Sequence, residues 1–296
     1  MEQKKYYNNR NNGDHKKNNR PHGDRKAYPA NPKSSPAERK ETDSNIHGEY
    51  ENGAVIGRNA VRELLKTGRA VDKLLVQKGE RNGSIVVLVA EAIEAGIPVI
   101  ETEKSKLDAI SGFAPHQGVI AFAAEKEYCT VEDILAIAKE RDEAPLIVIC
   151  DGITDPYNLG AIIRCAECCG AHGLILPKRR ASGLTPLVSK ASAGAIEHLA
   201  IAKVANIAST VELLKKHGVW TYAAEADGTL FYETDFRGPC AIVMGSEGDG
   251  VSQLVKKTCD GVVSIPMYGK VNSFNVSTAA AVLLTEVAKQ HHTPKN

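Results

Sequence analysis

The sequence predicts an α/β protein of two domains, the second built on a largely parallel sheet. Three observations lead there. Short apolar runs alternate with helical stretches from residue 53 to about residue 290. In the C-terminal half those runs are continuously apolar, as strands covered on both faces require. And 296 residues with 43% hydrophobic content exceed one average domain while supplying ample core.

Taken in order, the chain starts with residues 1–52, rich in Asn, Lys, Arg, Pro and Ser, which cannot bury enough apolar surface to fold and are expected to be a disordered basic arm. Up to Lys40 it carries eleven Lys or Arg against four acids. Such an arm suits phosphate attraction, and a solubilising tail would look the same. Order is expected from Gly53. Residues 54–57 read as a strand, Asn59 as the cap of a helix that carries Val61, Leu64 and Leu65 and stops at Gly68. Residues 73–77 read as a strand, 84–94 as a helix ending at Gly96, 97–101 as extended chain and 118–123 as an apolar strand. Together they make a small α/β domain over 53–126, followed by a charged, helical linker over 127–144.

The second domain is expected over 145–291. Residues 146–150, 173–176, 219–223, 241–244 and 261–265 are strand-like, separated by helices such as 159–169 and 211–217. No run of eighteen apolar residues occurs, and the N-terminus lacks the apolar segment of a signal peptide, so a cytoplasmic protein is expected, with no membrane partner. The seven cysteines are an odd number scattered through apolar stretches, which points to reduced thiols. Cys165, Cys168 and Cys169 cluster, but no second ligand cluster accompanies them and no metal is expected.

Three segments of the second domain carry chemistry, since ligands of open α/β sheets collect beyond the carboxyl ends of strands. The first runs from Asp151 through Asn158 into a helix where Arg164 interrupts an apolar face, calling for a partner or the mouth of a cleft. The second, Met244-Gly245-Ser-Glu247-Gly248-Asp-Gly250, offers backbone amides for close approach and a carboxylate for hydroxyl or amino donors. Its glycine spacing does not match a dinucleotide fingerprint. The third, Ile265-Pro266-Met267 through Asn272-Ser273-Phe274-Asn275-Val276-Ser277, crowds small polar groups at the entrance of an apolar helix, where one would suffice as a cap.

At these residues the chain resembles the SpoU/TrmH family of RNA ribose 2′-O-methyltransferases of the SPOUT superfamily: Asn158-Leu-Gly-x-x-x-Arg164, then Met244-Gly245-x-Glu247-Gly248-x-Gly250, then Ile265-Pro266-Met267 with Ser273-Phe274-Asn275-Val276-Ser277. Phe274 stands where many relatives have Leu. Val55 to Val61 and His116-Gln117-Gly118-Val119 also resemble the auxiliary domain of ribosomal-RNA members, a small RNA-binding fold like those of ribosomal proteins. The resemblance implies a C-terminal segment threaded into a trefoil knot, which ordinary topology rules would not suggest. It implies S-adenosylmethionine held at Gly245, Gly248, Ile265, Met267 and Phe274. Asn158, Arg164, Glu247, Ser273 and Asn275 would then form the RNA-facing catalytic set, with a guanosine of large-subunit (23S) ribosomal RNA as default substrate and a homodimer paired through the knotted domains. A transfer-RNA methyltransferase, a silent RNA-binding module and a nucleotide-dependent oxidoreductase are the alternatives.

Overall fold

The computed structural model describes residues 53–79 and 82–293, so the expected basic arm lies outside the described residues. In the N-terminal domain β1 (Ala54–Ile56) pairs antiparallel with β4 (Val119–Ala123), which pairs antiparallel with β2 (Val71–Gln77), and β2 pairs parallel with β3 (Val99–Thr102). Alternation along the strands sorts the core into two layers. Leu74, Val76, Val119 and Ala121 face α1 (Arg58–Thr67) and α2 (Ser84–Glu94). Leu75, Ile120 and Phe122 face α3 (Lys104–Ile110), which holds Leu107 and Ile110 inward.

One local expectation is corrected. Asn59 does not cap α1: the cap is Gly57 at φ 95°, and the Arg58 amide is instead satisfied by Gln117 Oε1 at 3.0 Å. The left-handed turn lets β1 run straight into the helix, and a side chain from the far end of the domain supplies the acceptor. At the other end Gly68 closes α1 at φ 70°, as expected.

The C-terminal domain is a six-stranded, wholly parallel sheet in the order β10-β8-β9-β5-β6-β7. Its strands are β5 (Leu146–Asp151), β6 (Gly173–Pro177), β7 (Ala200–Val204), β8 (Trp220–Leu230), β9 (Cys240–Gly245) and β10 (Gly261–Ser264). β5 shows why continuous apolar runs were informative: Leu146, Val148 and Cys150 enter one core layer while Ile147 and Ile149 enter the other. The first layer holds α5 (Pro156–Cys168), α6 (Pro186–Ala191) and α9 (Val276–His292); the second holds α4 (Val131–Glu140), α7 (Ile207–Lys216) and α8 (Gln253–Thr258). β7 has Lys203 on an edge strand, a substitution that blunts unwanted pairing and hides the strand from a hydropathy reading.

The charged stretch after the first domain contains α4, opened by a reciprocal capping box between Thr130 and Asp133. Its Ile134 lies so close over Gly173 that a Cβ there would sit 2.6 Å from the Ile134 side chain. α4 is thereby seated on the second sheet. The two domains meet through Gly194, at φ 95°, whose backbone abuts Glu63 and Asn59 of α1. Beside it Arg69 Nη1 reaches the buried Glu197 carboxylate at 3.0 Å, and His198 Nε2 lies 2.8 Å from Glu63. Burial raises the Glu197 carboxyl above its ordinary value, although the Arg69 and Lys126 charges oppose this, and burial lowers the Lys126 ammonium.

Candidate active site

The site begins where β9 ends. Gly245 is the last residue of that strand, and a Cβ on it would collide with the backbone of Gly250 and Val251. The glycine thus lets the loop fold back on its own strand end. Ser246 and Gly250 exchange both backbone hydrogen bonds, at 3.0 and 3.1 Å, closing a tight five-residue turn that holds Gly248 at φ 120° and Gly250 at φ 67°. The sequence reading assigned the glycine to ligand approach. In the structure its first duty is loop closure.

A second support for the loop was not anticipated. β8 changes register against β10 between Val262 and Val263, so residues 224–228 bulge out of the ladder. Glu225 stands in this bulge and accepts the Val251 amide at 2.6 Å through Oε1. Asp227 Oδ1 pairs with Lys256 Nζ at 2.7 Å. The sequence signal for this is two carboxylates and a glycine, Glu225, Asp227 and Gly228, and the expected strand ends before them.

Opposite the bulge, three of the expected catalytic side chains converge. Asp155 caps α5 by accepting the Tyr157 and Asn158 amides, with Pro156 in the first turn, and this fixes Asn158 at the start of the helix. Asn158 Nδ2 donates to Glu247 Oε1 at 2.7 Å, and Asn275 Nδ2 donates to the same oxygen at 2.9 Å and to Asn158 Oδ1 at 3.0 Å. The other end of the Asn275 amide caps α9, Oδ1 accepting from the Ser277 amide at 2.9 Å and from the Ser277 hydroxyl at 2.6 Å. One residue therefore ties a helix N-terminus to both other segments. Gly160 seats α5 against α6, since a Cβ there would lie 2.9 Å from the Val188 carbonyl oxygen.

Two clefts flank the loop, and Glu247 lies on the wall of both. The first, of about 460 Å³, collects all five residues expected to hold a cofactor, Gly245, Gly248, Ile265, Met267 and Phe274, together with Ser273 and Glu225. It is floored by Val263, Ala279 and Leu283. The second, of about 1010 Å³, is lined by Asn158, Glu247, Arg179, Arg180 and Asn206. Arg179 and Arg180 follow β6, are exposed, and drew no notice in the sequence.

Arg164 is in neither cleft. Six residues beyond Asn158, it is about 9 Å further along the helix and about 240° around it, so the two side chains leave α5 in different directions. It is exposed and makes no ion pair among the described residues. The apolar character of α5 and α9 is partly used within the chain: Leu159, Ile162, Leu283 and Leu284 share one core. All seven cysteines are free thiols, and burial pushes Cys150 and Cys240 up to about 12. Such thiols belong to the core and not to nucleophilic chemistry.

A wholly parallel sheet with two clefts at the carboxyl ends of its strands, joined to a small α/β domain, is an architecture that can seat a small ligand beside a larger one. Residues 145–285 match the family model of the SpoU rRNA methylases, and residues 54–129 match that of the RNA 2′-O ribose methyltransferase substrate-binding domain. The chain belongs to the SpoU/TrmH family of RNA methyltransferases. It is 42% identical over 247 residues to a Staphylococcus haemolyticus protein assigned to the TrmH family of tRNA/rRNA methyltransferases, covering 82% of this chain and 97% of that one. Among solved structures it is similar to the SpoU methyltransferase AviRb from Streptomyces viridochromogenes, crystallised in complex with AdoMet: 25% identity, TM-score 0.68, covering 83% of this chain and 95% of that one. A TrmH-family RNA methyltransferase structure from Porphyromonas gingivalis is 27% identical with TM-score 0.61, covering 80% of this chain and 89% of that one.

Proposed function

We propose that the chain methylates a ribose 2′-hydroxyl in RNA with S-adenosylmethionine bound in the cleft beneath Gly245, and that the substrate is a guanosine of large-subunit ribosomal RNA. The observation that carries this reading is the position of Glu247. It forms a shared wall between an apolar, glycine-bordered cleft suited to an adenosine cofactor and a wider polar cleft with two exposed arginines suited to RNA. The donor set fits the cofactor: Ile265, Met267 and Phe274 offer apolar surface, and the Glu225 and Glu247 carboxylates offer acceptors for hydroxyl or ammonium groups. When bound, the cofactor supplies an electrophilic sulfonium methyl group. A ribose hydroxyl would be the acceptor of that methyl group, and its proton would pass to solvent or a nearby acceptor.

The protein's part is alignment and charge. Asn158 and Asn275 clamp Glu247 Oε1, leaving Oε2 to orient a substrate hydroxyl, while exposed Ser273 offers a further hydroxyl at the rim. Arg164, a group whose pKa above about 12 keeps it charged, would hold the target phosphate and stabilise developing oxyanion character. Because Arg164 faces away from both clefts of its own chain, we assign it to the site of a second copy, which makes the enzyme a homodimer paired through α5 and its surroundings. The trefoil threading of the C-terminal segment belongs to the same proposal, as does a cytoplasmic setting; among the described residues no helix is long and apolar enough to cross a membrane.

The test is to map ribose methylation in all RNA of cells lacking the protein. Loss of one 2′-O-methylguanosine from large-subunit RNA, restored by the wild-type gene, is the expected result. Loss from a transfer RNA alone would move the substrate to that class, one of the two RNA classes in the name of the Staphylococcus haemolyticus relative.

A further inference from the structure

The N-terminal domain contains a cavity that the chemistry above does not use. It measures about 600 Å³, within the range of pockets that hold small ligands, and lies between the end of β2, the start of α1 and the loop at 112–118, with Ile85 on its floor. Among the described residues three side chains with a fixed positive charge border it: Arg58, Lys78 and Lys104. Arg58 is committed to the scaffold, Nε donating to the Gln117 carbonyl at 3.0 Å and Nη1 to Ser84 Oγ at 3.4 Å. Lys78 makes an exposed pair with Glu103 at 3.5 Å, worth little in water, and Lys104 makes no ion pair among the described residues. The carboxylate on the described wall, Asp108, is engaged by His116 Nε2 at 3.0 Å.

Phe113 stands on the same rim, 82% exposed and at φ 60°. A large apolar ring in water and a left-handed backbone at a non-glycine residue are both unfavourable, and such strain persists only where the surroundings enforce it. They do. The Phe113 amide donates to the Asp108 carbonyl at 2.7 Å and the Ala114 amide to the Ser111 carbonyl at 2.9 Å. Buried His116 accepts the Gly118 amide through Nδ1 at 3.0 Å while its other nitrogen faces Asp108, and Gln117 takes φ 55°. The ring is thus presented on a hydrogen-bonded loop beside two exposed ammonium groups of the rim, Lys78 in a weak pair and Lys104 without an ion pair among the described residues.

We propose that this cavity binds one unpaired nucleotide of the RNA substrate, the base stacked on Phe113 and its flanking phosphates held by Lys78 and Lys104. The inference rests on the reading of the chain as an RNA methyltransferase and names a contact site within its small domain. Aromatic faces take unpaired bases whatever their identity, and RNA is read chiefly where bases are unstacked. The occupant is therefore a loop or bulge of the substrate and not a duplex.

Phe113→Ala is expected to weaken binding of unmethylated ribosomal RNA, and of a twelve-nucleotide oligouridine, by about tenfold, with Phe113→Tyr restoring it. The Lys78→Ala/Lys104→Ala variant should reduce the steepness of log affinity against log salt by about 1.4 for oligouridine, as two lost single-strand phosphate contacts require. In a Trp220→Phe background, a tryptophan placed by Phe113→Trp should be quenched on adding oligouridine. S-adenosylmethionine affinity should be unchanged in every variant, which also verifies the fold. Unaltered RNA affinity in Phe113→Ala, an unquenched tryptophan, or an unaltered salt slope would each overturn the proposal. Failure of the methyltransferase reading is distinguishable, because it would appear in the wild-type chain as absent methyl transfer.

Discussion

On one side of the loop at 245–250 the wall is mainly backbone and apolar side chain, with glycines, Ile265, Met267, Phe274 and a floor of Val263 and Leu283, and the carboxylates Glu225 and Glu247 stand at the loop itself. On the other side stand amides, carboxylates and exposed guanidinium groups, with Asn158, Glu247, Arg179 and Arg180 around a cleft more than twice as large, about 1010 Å³ against about 460 Å³. The first face is fixed by covalent geometry and close packing, so its shape is set before any ligand arrives. The second is held by side-chain hydrogen bonds and leaves charge unspent. A rigid apolar slot suits a ligand that is always the same; a polar, partly open face suits a large anionic one that must come and go.

The sharpest break of this contrast is at Arg164. Arg164→Ala should lower kcat by about a thousandfold, the scale expected for removing one donor to developing charge, while S-adenosylmethionine affinity stays within a few-fold. If Arg164 serves the partner's site as proposed, mixing inactive Arg164→Ala chains with inactive Asn275→Ala chains should restore activity after subunit exchange. Exchange without recovery would return each site to a single chain. On the apolar side, Gly245→Ala should weaken cofactor binding by about a hundredfold, because the added Cβ pushes the loop off Gly250 and opens the shared wall. Calorimetry measures this, and unchanged affinity would separate the loop from the cofactor.

Away from both clefts a smaller effect is expected at His172. Its Nδ1 accepts the Leu146 amide at 3.0 Å and its Nε2 lies 2.9 Å from Glu143, an arrangement that fits the neutral ring donating to the carboxylate. Burial holds its pKa below the ordinary value, with Glu143 opposing. The unfolded chain therefore takes up this proton first as pH falls below about 6.5, and the folded chain loses stability there. Tm should fall between pH 7 and pH 5, with His172 contributing at most about 1.4 kcal/mol per pH unit, and His172→Gln should flatten the slope. An identical slope in the variant would assign the pH dependence elsewhere.

How much of this could be read beforehand differs by kind of interaction. Strands such as β5 were legible because both faces are buried and every residue is apolar. β7 was not, because an edge strand can carry Lys203, nor was α3, which buries only Leu107 and Ile110. The three motif segments were legible as a set. Their joining was not, since Asn158 and Glu247 are 89 positions apart, Asn158 and Asn275 are 117, and no local period encodes such contacts. Glu225 was missed for the same reason: a carboxylate in a bulge acquires its role from a loop distant in sequence, as Gln117 does for the Arg58 amide. The surplus of small polar groups before α9, read as a sign of a ligand, proved to include a cap that is also a strut.

The central claim is that the cleft beneath Gly245 delivers a methyl group to a ribose oxygen lying across Glu247. Purified protein, S-adenosylmethionine labelled in the methyl group and large-subunit ribosomal RNA from cells lacking the protein test it directly, with alkaline hydrolysis of the product. A 2′-O-methyl group blocks cleavage of the adjoining phosphodiester, so the account predicts label in a single alkali-stable dinucleotide beginning with guanosine, abolished by Arg164→Ala. Label recovered on a base in ordinary mononucleotides, or no transfer to any RNA by the dimeric protein, would contradict it.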